Sequence, residues 1–109
     1  MNHIPKSLND ELNKDKFYLK CCLARFGGCG GRIQRHHALK YAGSQLQKKF
    51  CILPACEGHH DQARNKDIKE KFDWVLLNRA TDQELKDISK STDYIWERNR
   101  LNKIYSICQ

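Results

Sequence analysis

Two histidine pairs and two cysteines within residues 32–64 constrain the possible fold of this chain more than any other feature of its sequence. The stretch reads R-I-Q-R-H-H-A-L, then a polar loop, then F-C-I-L-P-A-C-E-G-H-H-D-Q-A-R. An alternating run over residues 32–37 and an apolar run over residues 50–53 predict two β-strands joined by a loop of about a dozen residues. Pro54 is expected to end the second strand, because it cannot donate to a ladder, and residues from Cys56 onward suit a helix. A strand–loop–strand–helix unit in which each arm ends in His-His indicates a metal site.

The cysteines and one histidine could form a zinc site, although their spacing is not that of a zinc finger. Positions three apart on a helix share a face, so Cys56 and His59 could hold one ion. Upstream, the segment C-C-L-A-R-F-G-G-C-G-G carries three cysteines among glycines that allow tight turns: Cys21, Cys22 and Cys29. Two of these with Cys56 and His59 make a Cys3His set, the ligand count of a structural zinc. Spacing alone leaves open whether His59 or His60 binds the zinc, and whether Cys22 stands in place of Cys21.

The positive charge of the chain is concentrated in one segment. The net charge is +7, and residues 16–56 contain no Asp or Glu. The cations of that segment are Lys16, Lys20, Arg25, Arg32, Arg35, Lys40, Lys48 and Lys49. Their number exceeds the net charge, so the rest of the chain is slightly acidic. This is the electrostatic pattern of a surface that binds a phosphate backbone. A solvated basic face is the alternative, although such faces usually mix charges of both signs.

Length and cysteine content limit the class of protein. A chain of 109 residues predicts one domain with a small core, which a metal would stabilise. Six cysteines could form a disulfide framework. Residues 1–20 contain no signal-peptide core, however, and no window approaches the ~18 apolar residues of a membrane span. We therefore expect zinc-bound thiolates in a reducing cytoplasm. A redox protein built on Cys21, Cys22, Cys29 and Cys51 is the alternative, and its activity would survive a chelator but not a reductant.

Four further helices are predicted around the metal unit. Residues 7–15 begin with a serine that can cap a short helix, and residues 67–79 carry an amphipathic stripe. Residues 81–84, T-D-Q-E, form a capping box that starts another helix. Asp93 can cap the last helix. The apolar side of that helix comprises Leu101, Ile104, Tyr105 and Cys108. Both tryptophans are expected in the core.

The pattern of Cys…Cys, His-His at a strand end and I-L-P-A-C-x-x-H-H opening a helix resembles the HNH (ββα-metal) endonucleases. The likeness is greatest to small phage-encoded members, whose core also contains C-x-x-H-H, and it covers about residues 21–80. It implies an α+β fold with a ββα-metal core, that is, a two-stranded hairpin plus a helix. This core would be clipped by a zinc site and flanked by additional helices. One nuclease domain would span residues 1–109, with residues 81–109 as a helical C-terminal extension.

The resemblance also implies roles for individual residues. His36 and His60 would hold a catalytic divalent cation, His37 would be the general base, and Cys56 and His59 would belong to the structural zinc set. Arg64, one turn beyond His60 on the same helix face, is expected to contact the phosphate. The cations expected on the nucleic acid are Arg32, Arg35, Lys40, Lys48 and Lys49.

The histidines set the expected chemistry. The pKa of an imidazole lies close to working pH, so His37 can take a proton from water. Imidazole ligands favour transition metals, so Mn2+ or another such ion is expected to serve as well as Mg2+. Adjacent residues of a regular strand point to opposite faces, so His36 and His37 can serve one site only if the strand ends or bends there. We predict that it does.

The expected function is therefore a metal-dependent DNA endonuclease, encoded by a phage or prophage and acting in the cytoplasm of a bacterial or phage-infected cell. DNA is the expected partner, with no membrane, and no residue identifies a protein partner. The family usually carries an Asn, which orients the catalytic loop, about five residues before the helix cysteine, where this chain has Cys51. This departure favours the alternative, a non-catalytic zinc-stabilised nucleic-acid-binding module. With no recognisable reader of base sequence, binding should weaken steeply with salt.

Overall fold

The computed structural model describes residues 4–38, 40–41, 44–45, 48–89 and 92–105. Within them the elements are α1 (Lys6–Lys14), β1 (Ile33–His37), β2 (Lys40–Tyr41), β3 (Ser44–Gln45), β4 (Ile52–Cys56), α2 (Glu57–Asp61), α3 (Lys66–Arg79), α4 (Asp82–Ile88) and α5 (Tyr94–Tyr105). Short 3-10 helices cover Lys16–Leu19, Ala24–Phe26 and Lys49–Cys51. The fold is α+β, as the sequence predicted. No helix among the described residues is both long and apolar enough to cross a membrane.

A two-stranded ribbon carries both of the expected strands. β1 pairs antiparallel with β4, from Ile33 opposite Cys56 to His37 opposite Ile52. The connecting segment contains a second, shorter antiparallel pair, β2 with β3. The second strand of the ribbon begins later than predicted, because Phe50 and Cys51 lie in a 3-10 helix. All five residues of β4 are buried, which explains why its apolar run shows no alternation.

Pro54 lies in the middle of β4, so the prediction that it ends the strand is wrong. Its carbonyl accepts a hydrogen bond from the Cys22 N–H at 2.8 Å. Because residue 54 faces Arg35 across the ribbon, a carbonyl bonded to Cys22 must point away from β1. The proline nitrogen points to the same outer side. Its missing N–H therefore removes no bond of the β1–β4 ladder.

The main core lies where α3, α4 and α5 pack against β4 and the segment that contains Cys21. Its largest fully buried side chains include Phe72, Leu76, Leu85 and Leu101. Each such side chain contributes about 1.5–3 kcal/mol by leaving water. A smaller cluster of Leu12, Tyr18 and Ile52 packs α1 against the ribbon. The Tyr18 hydroxyl donates to the Ile52 carbonyl at 2.8 Å within this cluster, and β4 joins the two clusters because Ile52 belongs to the smaller one and Leu53 to the main core.

The observed helix caps match the sequence predictions more closely than the observed buried faces of the helices do. The Thr81–Glu84 capping box is present, and Asp93 Oδ1 accepts the N–H groups of Ile95 and Trp96 at 3.1 Å. Helix α1 instead begins at Lys6, one residue before the expected serine cap.

The expected apolar side of α5 and the tryptophan prediction are confirmed only in part. Leu101 is fully buried, whereas Ile104 is 47% exposed. Trp74 is buried, but Trp96 is 60% exposed, because it lies about 140° around the helix from Leu101. Cys108 lies outside the described residues.

Candidate metal centre and histidine pair

Three cysteines and one histidine from separate segments meet at one point. Cys21 and Cys29 come from the glycine-rich segment before β1, Cys56 ends β4, and His59 lies on α2. Their ligand atoms all lie within 4.8 Å of one another. The Sγ atoms of Cys56, Cys21 and Cys29 lie 3.2, 3.3 and 3.7 Å from His59 Nδ1.

These separations match those of a bound metal. In a tetrahedral site with Zn–S of about 2.3 Å and Zn–N of about 2.0–2.1 Å, sulfur and nitrogen lie about 3.5 Å apart. The three observed distances bracket that value, so the Cys3His set could hold a structural metal such as zinc. Of the two adjacent cysteines, Cys21 joins the set. Cys22 instead lines a cavity with Phe17 and Arg25. The five described cysteines are free thiols.

Backbone donors prepare Cys56 as a ligand. Its Sγ accepts the N–H of His59 at 3.4 Å, which caps the start of α2, and the N–H of Gly30 at 3.5 Å. Burial raises the pKa of the Cys56 thiol, but these two N–H groups and the hydrogen bonds from the Cys29 and Cys21 side chains together hold the pKa below its ordinary value. The thiolate is the form that binds a metal, so the fold favours binding.

The glycine-rich segment closes directly on α2. The carbonyls of Arg32 and Gly30 accept the N–H groups of Glu57 and Gly58 at 2.9 and 3.0 Å, which satisfies two N–H groups at the start of the helix. Gly31 has a φ of +83°, and a Cβ there would lie 2.8 Å from the Cβ of Glu57. A glycine is therefore required at this close approach.

A second pair of side chains meets at the junction of β1 and α2. His36 Nδ1 lies 3.0 Å from His60 Nδ1, with the ring centroids 5.0 Å apart and the planes nearly perpendicular. Two nitrogens bound at a right angle to one ion, each at about 2.1 Å, would also lie about 3.0 Å apart. The pair could therefore share a cation. His36 also packs against Phe72, 4.5 Å between ring centroids.

The environment keeps His36 neutral. Burial lowers the pKa of His36 to about 4, assisted by the charges of His60 and His37. A neutral imidazole is the form that binds a metal.

β1 ends at His37, as predicted, although the ribbon's hydrogen bonding continues to Ala38. That His37 and His36 serve the same site stays a prediction.

The predicted helical position of Arg64 is wrong. Helix α2 ends at Asp61, and residues 62–64 form a turn in which Ala63 N–H donates to the His60 carbonyl. The helix stops because Asn65 adopts an extended backbone and its side chain caps α3. Arg64 is exposed in that turn, and its role as a phosphate contact stays a prediction.

The remaining predicted contacts with nucleic acid differ in their surroundings. Arg32 and Lys48 are exposed. Arg35 donates to Asn13 Oδ1 at 2.8 Å and lies 5.0 Å from the Tyr18 ring, so it is bound to the α1 side of the ribbon. Lys49 forms a 3.0 Å ion pair with Asp15. The side chain of Lys40 lies outside the described residues.

Sequence reasoning missed two residues that shape these sites. Phe72 forms a wall of the histidine pair, but its place in the amphipathic stripe of α3 indicated only a core residue. Glu57 accepts the Arg32 N–H at 3.2 Å and so ties the glycine-rich segment to α2. An acid in the first turn of a helix was the available signal.

Comparison of this chain with protein-family models, with curated proteins and with solved structures finds no match.

Proposed function

We propose that this chain is a metal-dependent endonuclease of the HNH (ββα-metal) type, which hydrolyses DNA phosphodiester bonds in a bacterial or phage-infected cell. The observation that carries the proposal is the 3.0 Å approach of His36 and His60. Two imidazoles at the meeting point of a strand end and a short helix form half of a ligand set for a divalent cation, and they leave positions for water and phosphate.

The roles of the side chains follow from their chemistry. His36 and His60 hold the cation, which when bound neutralises charge on the phosphate and on the leaving oxygen. His37 accepts the proton of the attacking water, because an imidazole is a base near neutral pH. Arg64, exposed in the turn after α2, donates to a phosphate oxygen.

The Cys3His cluster supports this arrangement mechanically. Its ligands include Cys56 at the end of β4 and His59 on α2, and His59 directly precedes His60. A metal in the cluster therefore fixes the helix that carries His60 relative to the ribbon that carries His36. Preorganised ligands of this kind retain a catalytic ion in the geometry that the reaction needs.

Charge supports DNA as the substrate. The segment from residue 16 to residue 56 contains no acid, and Arg32 and Lys48 are exposed within it. Such exposed cations would hold the DNA backbone on either side of the scissile phosphate.

Cys51 favours a second candidate, a zinc-stabilised module that binds nucleic acid without cutting it. Its side chain is fully buried, where the family carries an asparagine that orients the catalytic loop. A thiol supplies only a weak donor in place of an amide. In this second function the histidine pair would be structural.

Plasmid nicking separates the two functions. The purified protein should nick supercoiled DNA with Mn2+ or Mg2+, and His37→Ala should slow nicking about 10²–10⁴-fold. His3→Ala, a histidine outside the described residues, is the matched control and should nick like the parent. Each chain should hold one tightly bound zinc and one exchangeable ion.

One outcome would contradict the enzyme, and another would contradict only the assignment of its metal ligands. DNA binding without nicking in any divalent metal would support the non-catalytic module. Full cleavage with Mg2+ and none with transition metals would show that the two imidazoles do not hold the catalytic ion.

A further inference from the structure

A groove lined by cations and aromatic rings lies on the side of α3 away from the histidine pair. Phe72 contacts His36, whereas Trp74, two residues on and about 200° around the helix, lines the groove. Two cavities of about 360 and 370 Å3 share Phe17, Cys22 and Arg25 in their walls, so they lie side by side. We call the two together the basic groove. Its charged and aromatic residues are Lys16, Lys20, Arg25, Arg79, Phe17 and Trp74.

The charge of the basic groove is of one sign. Four cations line it, and none of the described residues in its wall is acidic. The Asp15 carboxylate lies 3.6 Å from Arg79, and it also accepts from Lys49 and from the Phe17 N–H. Lys16 and Lys20 form no ion pair with any described residue, so they leave an attraction for an anion with several charges.

Arg79 presents part of its guanidinium to the groove. Its guanidinium carbon lies 3.7 Å from the centroid of the Phe17 ring, which fixes the plane of the group. Its Nε is buried and therefore out of reach of a ligand, but the side chain as a whole is 28% exposed. The exposed part of the guanidinium can donate to a phosphate oxygen.

Arg25 provides a flat cationic surface. Its guanidinium carbon lies 5.2 Å from the centroid of the Trp74 ring. Unpaired bases stack on arginine planes and aromatic rings, and this stacking tolerates any base sequence. Each half of the groove has the size of a pocket for one small molecule, which suits separate nucleotides better than a duplex.

We propose that the basic groove binds single-stranded DNA, with Lys16, Lys20 and Arg79 on its phosphates and Arg25 beneath a base. The choice of DNA as the nucleic acid rests on the proposed function; the groove itself does not touch the histidine pair. The groove would hold an unpaired stretch of a DNA molecule, and the histidine pair would cut that DNA molecule at another position.

The first test measures binding of a fluorescently labelled oligothymidylate by anisotropy, without added divalent metal. Lys16→Gln/Lys20→Gln should weaken binding about 10-fold at low salt. It should also reduce the slope of log K against log salt by about 1.4, since each phosphate contact with a single strand contributes about 0.7. Lys66→Gln/Lys86→Gln removes the same charge from exposed positions on α3 and α4 and should leave both quantities unchanged.

The second test locates the ligand. The chain has two tryptophans, so Trp96→Phe leaves Trp74, in the groove wall, as the single indole fluorophore. Oligothymidylate should change the fluorescence of this variant with the same midpoint as the anisotropy curve. An unchanged Trp74 signal at saturation would show that the strand binds elsewhere and would overturn the inference.

Competitors and the nicking assay complete the test. A duplex of equal length, or polyglutamate of equal charge, that displaced the oligonucleotide equally well would overturn the assignment to single-stranded DNA. If the protein nicks DNA normally and the groove variants bind the oligonucleotide like their control, the groove is not the binding site, but the proposed endonuclease activity is unaffected. If the protein does not nick DNA but the groove variants lose binding as expected, the endonuclease activity is refuted and the groove remains the binding site for single-stranded DNA.

Discussion

Replacing Cys56 by alanine should destroy the structural metal site, whereas the same replacement at Cys51 should leave it intact. Both side chains are buried, 1% and 0% exposed, and both belong to the main core. The two substitutions remove the same atom from comparable surroundings. Any difference between them therefore measures what Cys56 does beyond packing.

The structure gives the size of that difference. Loss of a buried sulfur costs about 1 kcal/mol at either position. Cys56 also accepts two backbone N–H groups, worth about 1 kcal/mol together because sulfur is a weak acceptor. A structural zinc binds with about 10–16 kcal/mol at the 1 M standard state, so about 0.1 μM free zinc leaves about 3 kcal/mol of stabilisation, and a variant without the site loses all of it. The free energy of unfolding should fall by about 5 kcal/mol for Cys56→Ala and about 1 kcal/mol for Cys51→Ala.

Urea unfolding followed by circular dichroism, with zinc measured on the same samples, tests these values. Cys56→Ser keeps an acceptor for the two N–H groups but is a poor ligand, so it should resemble Cys56→Ala. A chelator should lower the midpoint of Cys51→Ala and leave that of Cys56→Ala unchanged. Equal losses of stability for the two alanine variants, each with one zinc per chain, would refute the Cys3His site.

Three further perturbations test other parts of the structure. Gly31→Ala should lower the free energy of unfolding by about 2 kcal/mol, because it places a side chain at φ +83° and against Glu57. At Gly30 an added Cβ meets no atom within 4 Å, so Gly30→Ala should cost less than about 0.5 kcal/mol. The midpoint of urea unfolding measures both losses. The Phe17 N–H and Lys49 hold the pKa of the Asp15 carboxyl below its ordinary 3.8, so its contribution is complete above that pH and is lost as pH falls below it. Asp15→Asn should flatten stability measured from pH 5 to pH 2.5, and an unchanged slope would refute the role. Thr81→Ala removes the acceptor of the Glu84 N–H and should cost about 1 kcal/mol by thermal unfolding.

The Cys56–His59 half of the metal cluster was predictable from sequence because its geometry is local. Cys56 and His59 are three residues apart at the start of a helix, which fixes their common face. The choice of His59 over His60 was not local. It depends on the side from which the glycine-rich segment closes on α2, and the hydrogen bonds of Gly30 to Cys56 and Gly58 set that side.

The errors share a physical cause. The position of Pro54 within β4 depends on which edge of the strand its nitrogen faces, and only the pairing with β1 decides this. The early end of α2 depends on the competing demand of Asn65 to cap α3. The exposure of Trp96 depends on which face of α5 meets α3 and α4, and the short apolar pattern of that helix left this open.

The environment of Pro54 also bears on how copies of this protein meet one another. A strand with a free outer edge invites a strand from a second copy to add to it, the usual first step of edge-to-edge aggregation. At Pro54 that edge offers no N–H, and its carbonyl is already occupied by Cys22. The glycine-rich segment thus serves as a cover as well as a source of ligands. Loss of the metal would loosen that cover and expose β4, so aggregation should accompany chelation.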